Sequence, residues 1–290
     1  PGRMLHQTWN LASMPSIDRW VEPEIVHAPA FSMPASRAPA VATIHDLAFV
    51  RHPEWFTPHG VAYLGRFLER VKDRRAWVIA PSQHTADDCV AVGLDASRLT
   101  VIPWGVDAIE FEPGEVEATA GEHGVDDDTA LYVGTVEPRK NLDGLARAMR
   151  RLPHRNLVVV GPVGWGDVAV DGARLVGEID NRAVRALMAA AGVLVYPSHF
   201  EGFGLPVLEA MALGTAVVTT AGTSAAEVAG GAALAVDTSS AETLAEAIEA
   251  VLADLQLRHD LGVEGRLRAR RFTWGDTARL SLGVYERAIA

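Results

Sequence analysis

Two adjacent cations, Arg139 and Lys140, directly follow an apolar segment typical of a buried strand, Ala130–Gly134. The next residue, Asn141, is a residue type that favours the N-cap of a helix. The pattern therefore predicts that the two cations lie at a strand-to-helix turn. Positive side chains beside exposed helix N–H groups favour an anion such as a diphosphate. A pair of solvated surface charges is the alternative that this turn leaves open by itself.

Two glutamates, Glu201 and Glu209, lie on either side of a glycine-containing loop that follows the apolar segment Gly192–Tyr196. Gly204 lets the backbone approach a ligand closely at the start of the next helix. Glu209 is predicted in the first turn of that otherwise apolar helix, where a buried carboxylate needs a partner. It could accept hydrogen bonds from a diol, as an acidic residue does for ribose in dinucleotide sites. Interaction with the helix dipole is the simpler alternative.

A histidine, His45, lies with Asp46 at the carboxyl end of another predicted strand, Val41–His45. Ligands of open parallel α/β sheets bind beyond the carboxyl ends of the strands, so this position is suited to chemistry. A lone histidine is more often structural than catalytic. Its expected place, across a cleft between two lobes from the anion site, favours the catalytic interpretation.

Short apolar runs alternate with helical patterns along the whole chain, which is typical of βα units and parallel sheets. The predicted strands are Glu24–His27, Val41–His45, Trp77–Ala80, Leu99–Ile102, Ala130–Gly134, Leu157–Gly161, Arg174–Gly177, Gly192–Tyr196, Ala216–Thr220 and Ala233–Val236. Their near-continuous hydrophobicity suits strands that are covered on both faces. The predicted helices include Val61–Lys72, Asp143–Arg151, Arg182–Ala191, Pro206–Leu213 and Ala241–Leu255.

The strands fall into two groups, which predicts two doubly wound lobes of the α/β class. The segment Trp104–Glu122 is rich in Pro, Gly and Glu, shows no clear periodicity, and is the expected linker. We assign residues 1–107 and a last helix at 277–290 to the first lobe, and residues 108–276 to the second.

Composition excludes several classes of function. The 290 residues carry a net charge of −11, which argues against non-specific nucleic-acid binding. A single cysteine, Cys89, cannot form an intramolecular disulfide and suggests a cytoplasmic location. No apolar run is long enough to span a bilayer. The acidic run 126–128 precedes a strand and predicts a solvated loop rather than a metal site. The loop 161–166 lacks the GxGxxG spacing that an NAD-dependent dehydrogenase requires.

Six motifs in register resemble those of the retaining glycosyltransferase family 4, in its mannosyltransferase-like branch. The likeness covers almost the whole chain. The segments that carry it are Thr43–Leu47, Pro81–Gln83, Val101–Asp107, Gly134–Asn141, the two-glutamate motif Glu201–Ala212, and Phe272–Trp274.

The resemblance implies a GT-B fold, with two Rossmann-like lobes facing each other across a cleft, and transfer of a hexose with retention. Arg139 and Lys140 would neutralise the donor diphosphate, and Glu209 would bind the ribose. His45 would support the reacting centre, and the reaction would need no metal ion or other cofactor. The resemblance also implies that Glu201 and the backbone of Phe203, Gly204 and Leu205 hold the sugar and the phosphate. The turn residues Gly134 and Thr135 would help to bind the donor, and the base would pack beside Glu178 and Ile179.

The chain also departs from the family. Thr135 stands where many relatives have arginine, and the first lobe has about four predicted strands, as if its start were missing, which would leave a sheet edge unpaired. The expected donor is GDP-mannose, with UDP- and ADP-sugars open. The expected acceptor is a hydroxyl group of a glycan, a lipid-linked molecule or a small molecule, and contact with the inner membrane face stays open. A non-catalytic nucleotide-binding fragment and a nucleotide-sugar epimerase are the alternatives.

Overall fold

The computed structural model describes residues 8–10, 14–166, 168 and 170–290. The chain divides into two compact units. The first unit comprises Pro1–Gly105 and Trp274–Ala290, and the second comprises Val106–Thr273. The sequence places the changes of lobe a few residues from these borders.

Parallel strands alternate with helices in both units. In chain order the strands are β1 (Val26–Ala28), β2 (Ala40–Thr43), β3 (Trp77–Ala80), β4 (Leu99–Val101), β5 (Thr129–Val133), β6 (Asn156–Val160), β7 (Arg174–Gly177), β8 (Val193–Tyr196), β9 (Val217–Thr220) and β10 (Leu234–Val236). Every predicted strand is a strand in the structure, with its ends displaced by at most two residues.

The helices lie between these strands and after the last one. They are α1 (Ala48–Arg51), α2 (Pro58–Asp73), α3 (Gln83–Ala91), α4 (Glu115–His123), α5 (Leu142–Met149), α6 (Asn181–Ala190), α7 (Leu205–Leu213), α8 (Ser224–Ala229), α9 (Ala241–Ala253), α10 (Leu255–Ala269) and α11 (Trp274–Ile289). The expected linker Trp104–Glu122 contains the border between the units, and α4 begins inside it, after Gly114 with a φ of +80°.

The sheet of the first unit has the order β1-β2-β3-β4, and all its pairings are parallel. Alternate side chains of a strand point to opposite faces. Val41 and Ile79 therefore pack with Val284 of α11 on one face. Ala42 and Val78 pack on the other face with side chains of α2. The last helix thus completes the core of the first unit.

The sheet of the second unit has the order β10-β9-β8-β5-β6-β7, again with parallel pairings. The chain runs outward from β5 through β6 to β7, and then returns to place β8 on the other side of β5. The central strands β5 and β8 are almost fully buried. The prediction of cover on both faces is wrong for the edge strand β7, where Leu175 is 52% exposed.

Candidate functional site

The change of direction between β5 and β8 is a topological switch point, the place where open α/β sheets bind ligands. Two loops leave the carboxyl ends of these neighbouring strands, residues 134–141 and residues 197–204. A backbone hydrogen bond of 2.9 Å from His199 N to Arg139 O joins them. Residues about 60 positions apart in the sequence therefore form one site.

Four charged side chains meet between the two loops. Lys140 Nζ lies 2.5 Å from Glu201 Oε1, and Arg139 Nη1 lies 3.6 Å from Glu201 Oε2. Arg139 also donates from Nε to Glu137. The side chains of Lys140, Glu201 and Glu137 are less than 9% exposed, whereas that of Arg139 is 21% exposed. The two predicted cations thus lie at the predicted turn, but two carboxylates balance their charge.

Tyrosines at the ends of the central strands complete this cluster. Tyr196 at the end of β8 accepts a hydrogen bond of 3.1 Å from Lys140 Nζ. Tyr132 on β5 stacks on Tyr196, with 6.2 Å between ring centroids, and donates to Thr135 O at 3.2 Å. Burial raises the pKa of both phenols well above its usual value, so they stay protonated donors.

The ionisation of Glu201 is set by two opposing effects. Burial by itself would raise the pKa of the Glu201 carboxyl, but Lys140 and then Arg139 outweigh it and hold the pKa below the usual 4.5. The carboxylate is therefore charged in the folded state at neutral pH. A buried charge is tolerated only when it is paired and hydrogen-bonded, as it is here.

A lowered folded-state pKa predicts acid sensitivity of this cluster. The stabilisation is complete above the unfolded pKa of about 4.5 and is lost as pH falls through the lower folded value. We expect the free energy of unfolding of the native protein, relative to that of Glu201→Gln, to be flat near neutral pH and to fall below about pH 4.5. Urea unfolding across this range measures it, with the exposed Glu246→Gln as control. A difference that is independent of pH would contradict the ion pair.

Asn141 has a different role from the one predicted. It occupies the N-cap position of α5, but its side chain makes no capping hydrogen bond. Instead its amide donates to Thr238 O at 3.0 Å and to Pro197 O at 3.3 Å. The side-chain capping prediction is therefore wrong, because the amide is used to join the loops that follow β5, β8 and β10.

The loop after β6 packs against the turn that holds Gly134 and Thr135. Val136 N donates to Pro162 O, and Gly164 N donates to Val136 O, both at 3.0 Å. Gly161 has a φ of +140°, and a Cβ atom added to it would lie 2.2 Å from Gly134 O. Backbone contact at this position requires glycine, which fixes the turn carrying the two cations.

The predicted loop residues 203–205 form the entrance to α7. Gly204 has a φ of +100°, and an added Cβ atom would lie 3.0 Å from Ala225 Cβ. Phe203 is buried, with its ring edge against Phe272, so its side chain belongs to the core. The N–H groups of Gly204 and Leu205 donate to no residue in the described part of the chain. They are the donors that a helix N-terminus offers to an anion.

Glu209 lies in the second turn of α7 rather than in the predicted first turn, because the helix begins at Leu205. Its Oε1 accepts from Arg185 Nη2 at 2.9 Å. Arg185 Nη1 in turn donates to Asp107 O at 2.9 Å. The Glu209 side chain is 25% exposed, so one carboxylate oxygen is anchored while the group keeps access to solvent.

Arg185 comes from the helix that follows the predicted base-binding residues. Glu178 and Ile179 lie just after β7, and Glu178 is exposed while Ile179 is half-buried. Asp180 then caps α6 by accepting from Arg182 N and Ala183 N. Spacing along the sequence does not show that this helix reaches Glu209.

His45 lies in the first unit, beyond the carboxyl end of β2, which ends two residues earlier than the predicted strand. Its Nε2 lies 2.6 Å from Pro29 O, which can only accept, so Nε2 carries the proton. Its ring contacts Phe31 and Trp104. The Nδ1 atom is buried and has no hydrogen-bond partner among the residues that the structure describes. These contacts fix the ring and its tautomer.

The acidic run 126–128 lies outside this site. Asp128 pairs with Arg155 and Asp127 with Arg258, and both aspartates are exposed. No group of three or more metal-ligating side chains was found in the ranges that the structure covers. No helix among the described residues has both the length and the apolar character needed to cross a membrane.

Sequence reasoning missed three residues that position the site. Glu137 and Tyr196 hold the cations, and Arg185 holds Glu209. A buried lysine needs a counter-charge. The glutamate two residues before Arg139 could have been considered for that reason, whereas the partners of Glu209 depend on the sheet order.

Models of two families match the chain. "Glycosyl transferases group 1" matches residues 116–268, and "Glycosyltransferase Family 4" matches residues 1–109. O-antigen chain mannosyltransferase B of Escherichia coli is 30% identical over 98% of this chain and 78% of its own length. D-inositol 3-phosphate glycosyltransferase of Mycobacteroides abscessus is 33% identical over 87% of this chain, which covers only 61% of that protein.

The fold also matches solved structures. The HepE protein of Anabaena, solved in complex with UDP-glucose, has a TM-score of 0.74 and 20% identity. The match covers 91% of this chain and 78% of that one. At this identity the likeness concerns the fold alone. Both family models match, and the mannosyltransferase is similar over most of both chains. The chain therefore belongs to glycosyltransferase family 4 and has the GT-B fold of two parallel-sheet α/β lobes.

Proposed function

We propose that this glycosyltransferase moves a hexose from a nucleotide sugar to a hydroxyl acceptor with retention of the anomeric configuration. GDP-mannose is the proposed donor, and a glycan, a lipid-linked molecule or a small alcohol the acceptor. The observation that supports this best is the grouping of Arg139, Lys140 and the N-terminus of α7 at the β5/β8 switch point. Glu209 lies on the same helix.

Each part of the donor has a proposed partner in the second unit. Arg139 and Lys140 would bind the diphosphate together with the N–H groups of Gly204 and Leu205. Glu209, held by Arg185, would accept from the ribose hydroxyls. The base would pack beside Glu178 and Ile179.

The proposed reaction breaks the bond between the anomeric carbon and the diphosphate oxygen, and forms a bond from that carbon to the acceptor oxygen on the same face. The proton of the acceptor hydroxyl passes to the departing diphosphate oxygen. Negative charge grows on the departing nucleoside diphosphate. Preorganised cations and N–H donors at that point lower the barrier, and we propose that they do so without a required metal ion. Glu201 would keep Lys140 in place and contact the sugar. His45 is the contribution that we propose for the first unit.

The donor preference is proposed from the relative named a mannosyltransferase. Its name supports a mannosyl donor. Because HepE was solved with UDP-glucose, a UDP-linked donor is the alternative to test. Calorimetric titration with GDP, UDP and ADP, with and without Mg²⁺, tests the choice. We expect GDP to bind most tightly and indifferently to the metal. Tighter binding of UDP or ADP would refute the donor assignment, and absence of all binding would refute the site.

Turnover is tested separately from binding. Purified protein should hydrolyse GDP-mannose slowly and should release GDP faster when an alcohol acceptor is present. The glycoside product should keep the anomeric configuration of the donor. His45→Ala should abolish release while changing the affinity for GDP little. Binding without any turnover would show a nucleotide-binding protein rather than a transferase. Isomerised sugar in the absence of acceptor would show an epimerase.

The donor contacts make a specific prediction. We expect Glu209→Ala and Arg139→Ala each to weaken GDP binding by about 1–3 kcal/mol, because each removes charge-assisted hydrogen bonds. Glu246→Ala removes an exposed glutamate from α9 and is the matched control. Calorimetry measures all three variants. Unchanged affinity in both site variants would remove these residues from the donor site and leave the fold assignment intact.

A further inference from the structure

A second charged pocket lies in the first unit, at the amino ends of strands β2 and β3. A cavity of about 520 Å³ is lined there by Arg19, Arg37, Arg70 and Arg74, with Asp18 as the acidic side chain of the lining. Arg37 precedes β2, and Arg74 precedes β3. His45 follows the carboxyl end of β2, so the pocket and His45 lie at opposite ends of the strands.

The charge of this pocket is strongly unbalanced. Four arginines face one aspartate, in a chain whose net charge is −11. Asp18 is already engaged, since it accepts from Ser36 Oγ at 2.5 Å and from Arg37 N at 2.8 Å. The excess of positive charge therefore persists inside the cavity.

Two of the arginines are held close to each other. Arg70 lies in the last turn of α2, and Arg74 follows four residues later, a spacing that places like charges together on a helix and costs stability. Burial and then the charge of Arg70 lower the pKa of Arg74. Arg74 is oriented by the carbonyls of Ser36 and Ala38, which it binds through its two terminal nitrogens.

Arg70 makes no such bond to a carbonyl among the residues that the structure describes. Its Nε is buried and makes no hydrogen bond to any residue that the structure describes. A buried donor without an acceptor is costly and calls for an explanation. A ligand that brings several acceptor oxygens and more than one negative charge would balance the charge of the four arginines that line the cavity.

We propose that the arginine pocket binds a phosphate group. Guanidinium groups match the oxygens of phosphate in paired hydrogen bonds, and several of them converge on a cavity of the size of a small-ligand site. This binding would be separate from donor binding and does not depend on the proposed transfer reaction. The phosphate would belong either to a small soluble molecule or to a lipid headgroup at a membrane surface.

The exposed side chains beside the pocket make the lipid source worth a separate test. Arg19 is followed by Trp20 and Val21, which are 64% and 55% exposed. Aromatic and aliphatic side chains next to cations favour the interface of an anionic membrane. A soluble phosphate would need the arginines alone.

The experiment compares two variants of the same helix. Arg70→Gln removes a pocket arginine, and Lys72→Gln removes an equal charge two residues away that pairs with Glu69 outside the pocket. Both leave the donor turn intact, so any binding there is the same in all samples. Inorganic phosphate affinity is measured by calorimetry, and cosedimentation is measured with phosphatidylcholine vesicles with and without phosphatidic acid.

Arg70→Gln should weaken the binding of phosphate, of phosphatidic acid vesicles, or of both at least tenfold, while Lys72→Gln stays within twofold of the native chain. Loss of phosphate binding indicates the soluble source, and loss of vesicle binding alone indicates the lipid. Phosphate should also raise the unfolding temperature of the native chain more than that of Arg70→Gln. Equal losses in both variants, or no binding of either probe by the native chain, would overturn the proposal.

Discussion

Lys140→Met is expected to destabilise the second unit by about 3–5 kcal/mol, the usual cost of leaving a buried charge without its close partner. Lys140 Nζ lies 2.5 Å from Glu201, whereas the next cation, on Arg139, is 3.6 Å away. Arg139 already donates to Glu137 and cannot replace the lysine fully. The same change should weaken GDP binding, because it removes a proposed diphosphate contact.

Urea unfolding measures the effect, and Lys72→Met is the matched control because Lys72 is the only other lysine and is partly exposed. We expect the control to change stability by less than about 1 kcal/mol. The double variant Lys140→Met with Glu201→Gln should recover much of the lost stability, because the stranded charge is gone. A small effect of Lys140→Met, or no recovery in the double variant, would mean that the two side chains are not an ion pair in solution.

Gly161→Ala is expected to cost about 2–6 kcal/mol, since a strained backbone and a steric clash each cost about 1–3 kcal/mol. The φ of +140° disfavours any L side chain, and the new Cβ would lie 2.2 Å from Gly134 O. The turn that holds Arg139 and Lys140 would have to move. GDP binding should weaken even though no ligand contact has been removed.

Gly172→Ala separates the two causes. Gly172 has a φ of +82°, but an added Cβ atom meets nothing within 4 Å. This control should therefore show only the backbone term, about 1–2 kcal/mol, with unchanged GDP affinity. Equal effects of the two substitutions on both stability and GDP affinity would show that the close approach of Gly161 to Gly134 is unimportant.

Much of the fold could be predicted because parallel strands buried on both faces need continuous apolar runs. Segments such as those of β5 and β8 are nearly unmistakable. The edge strand β7 has the predicted bounds, but its exposed Arg174 and Leu175 do not follow the pattern of a strand buried on both faces. Helix α4 was missed because only Ala120 is buried in it, so its apolar periodicity is slight.

The site was predictable only in part. The turn at Arg139 and the loop at Gly204 were found because both follow strands, and strand ends are where such sheets bind ligands. The pairing of Lys140 with Glu201 was not, because it depends on β8 lying beside β5 rather than on any spacing. The capping prediction for Asn141 fails for a similar reason, because its side chain bonds Thr238, which is distant in the sequence, instead of the N-terminus of α5.

The last helix, α11, has a consequence for how the protein is made on the ribosome. Val284 packs on β2 and β3, and Tyr285 lies 2.7 Å from His27 Nδ1 on β1. The sheet of the first unit is therefore synthesised early, but the helix that covers one of its faces is synthesised last. The second unit is one uninterrupted segment, Val106–Thr273, and its chain is complete sooner. The core of the first unit therefore cannot be completed before the second unit has been synthesised, although N-terminal domains generally fold first during translation.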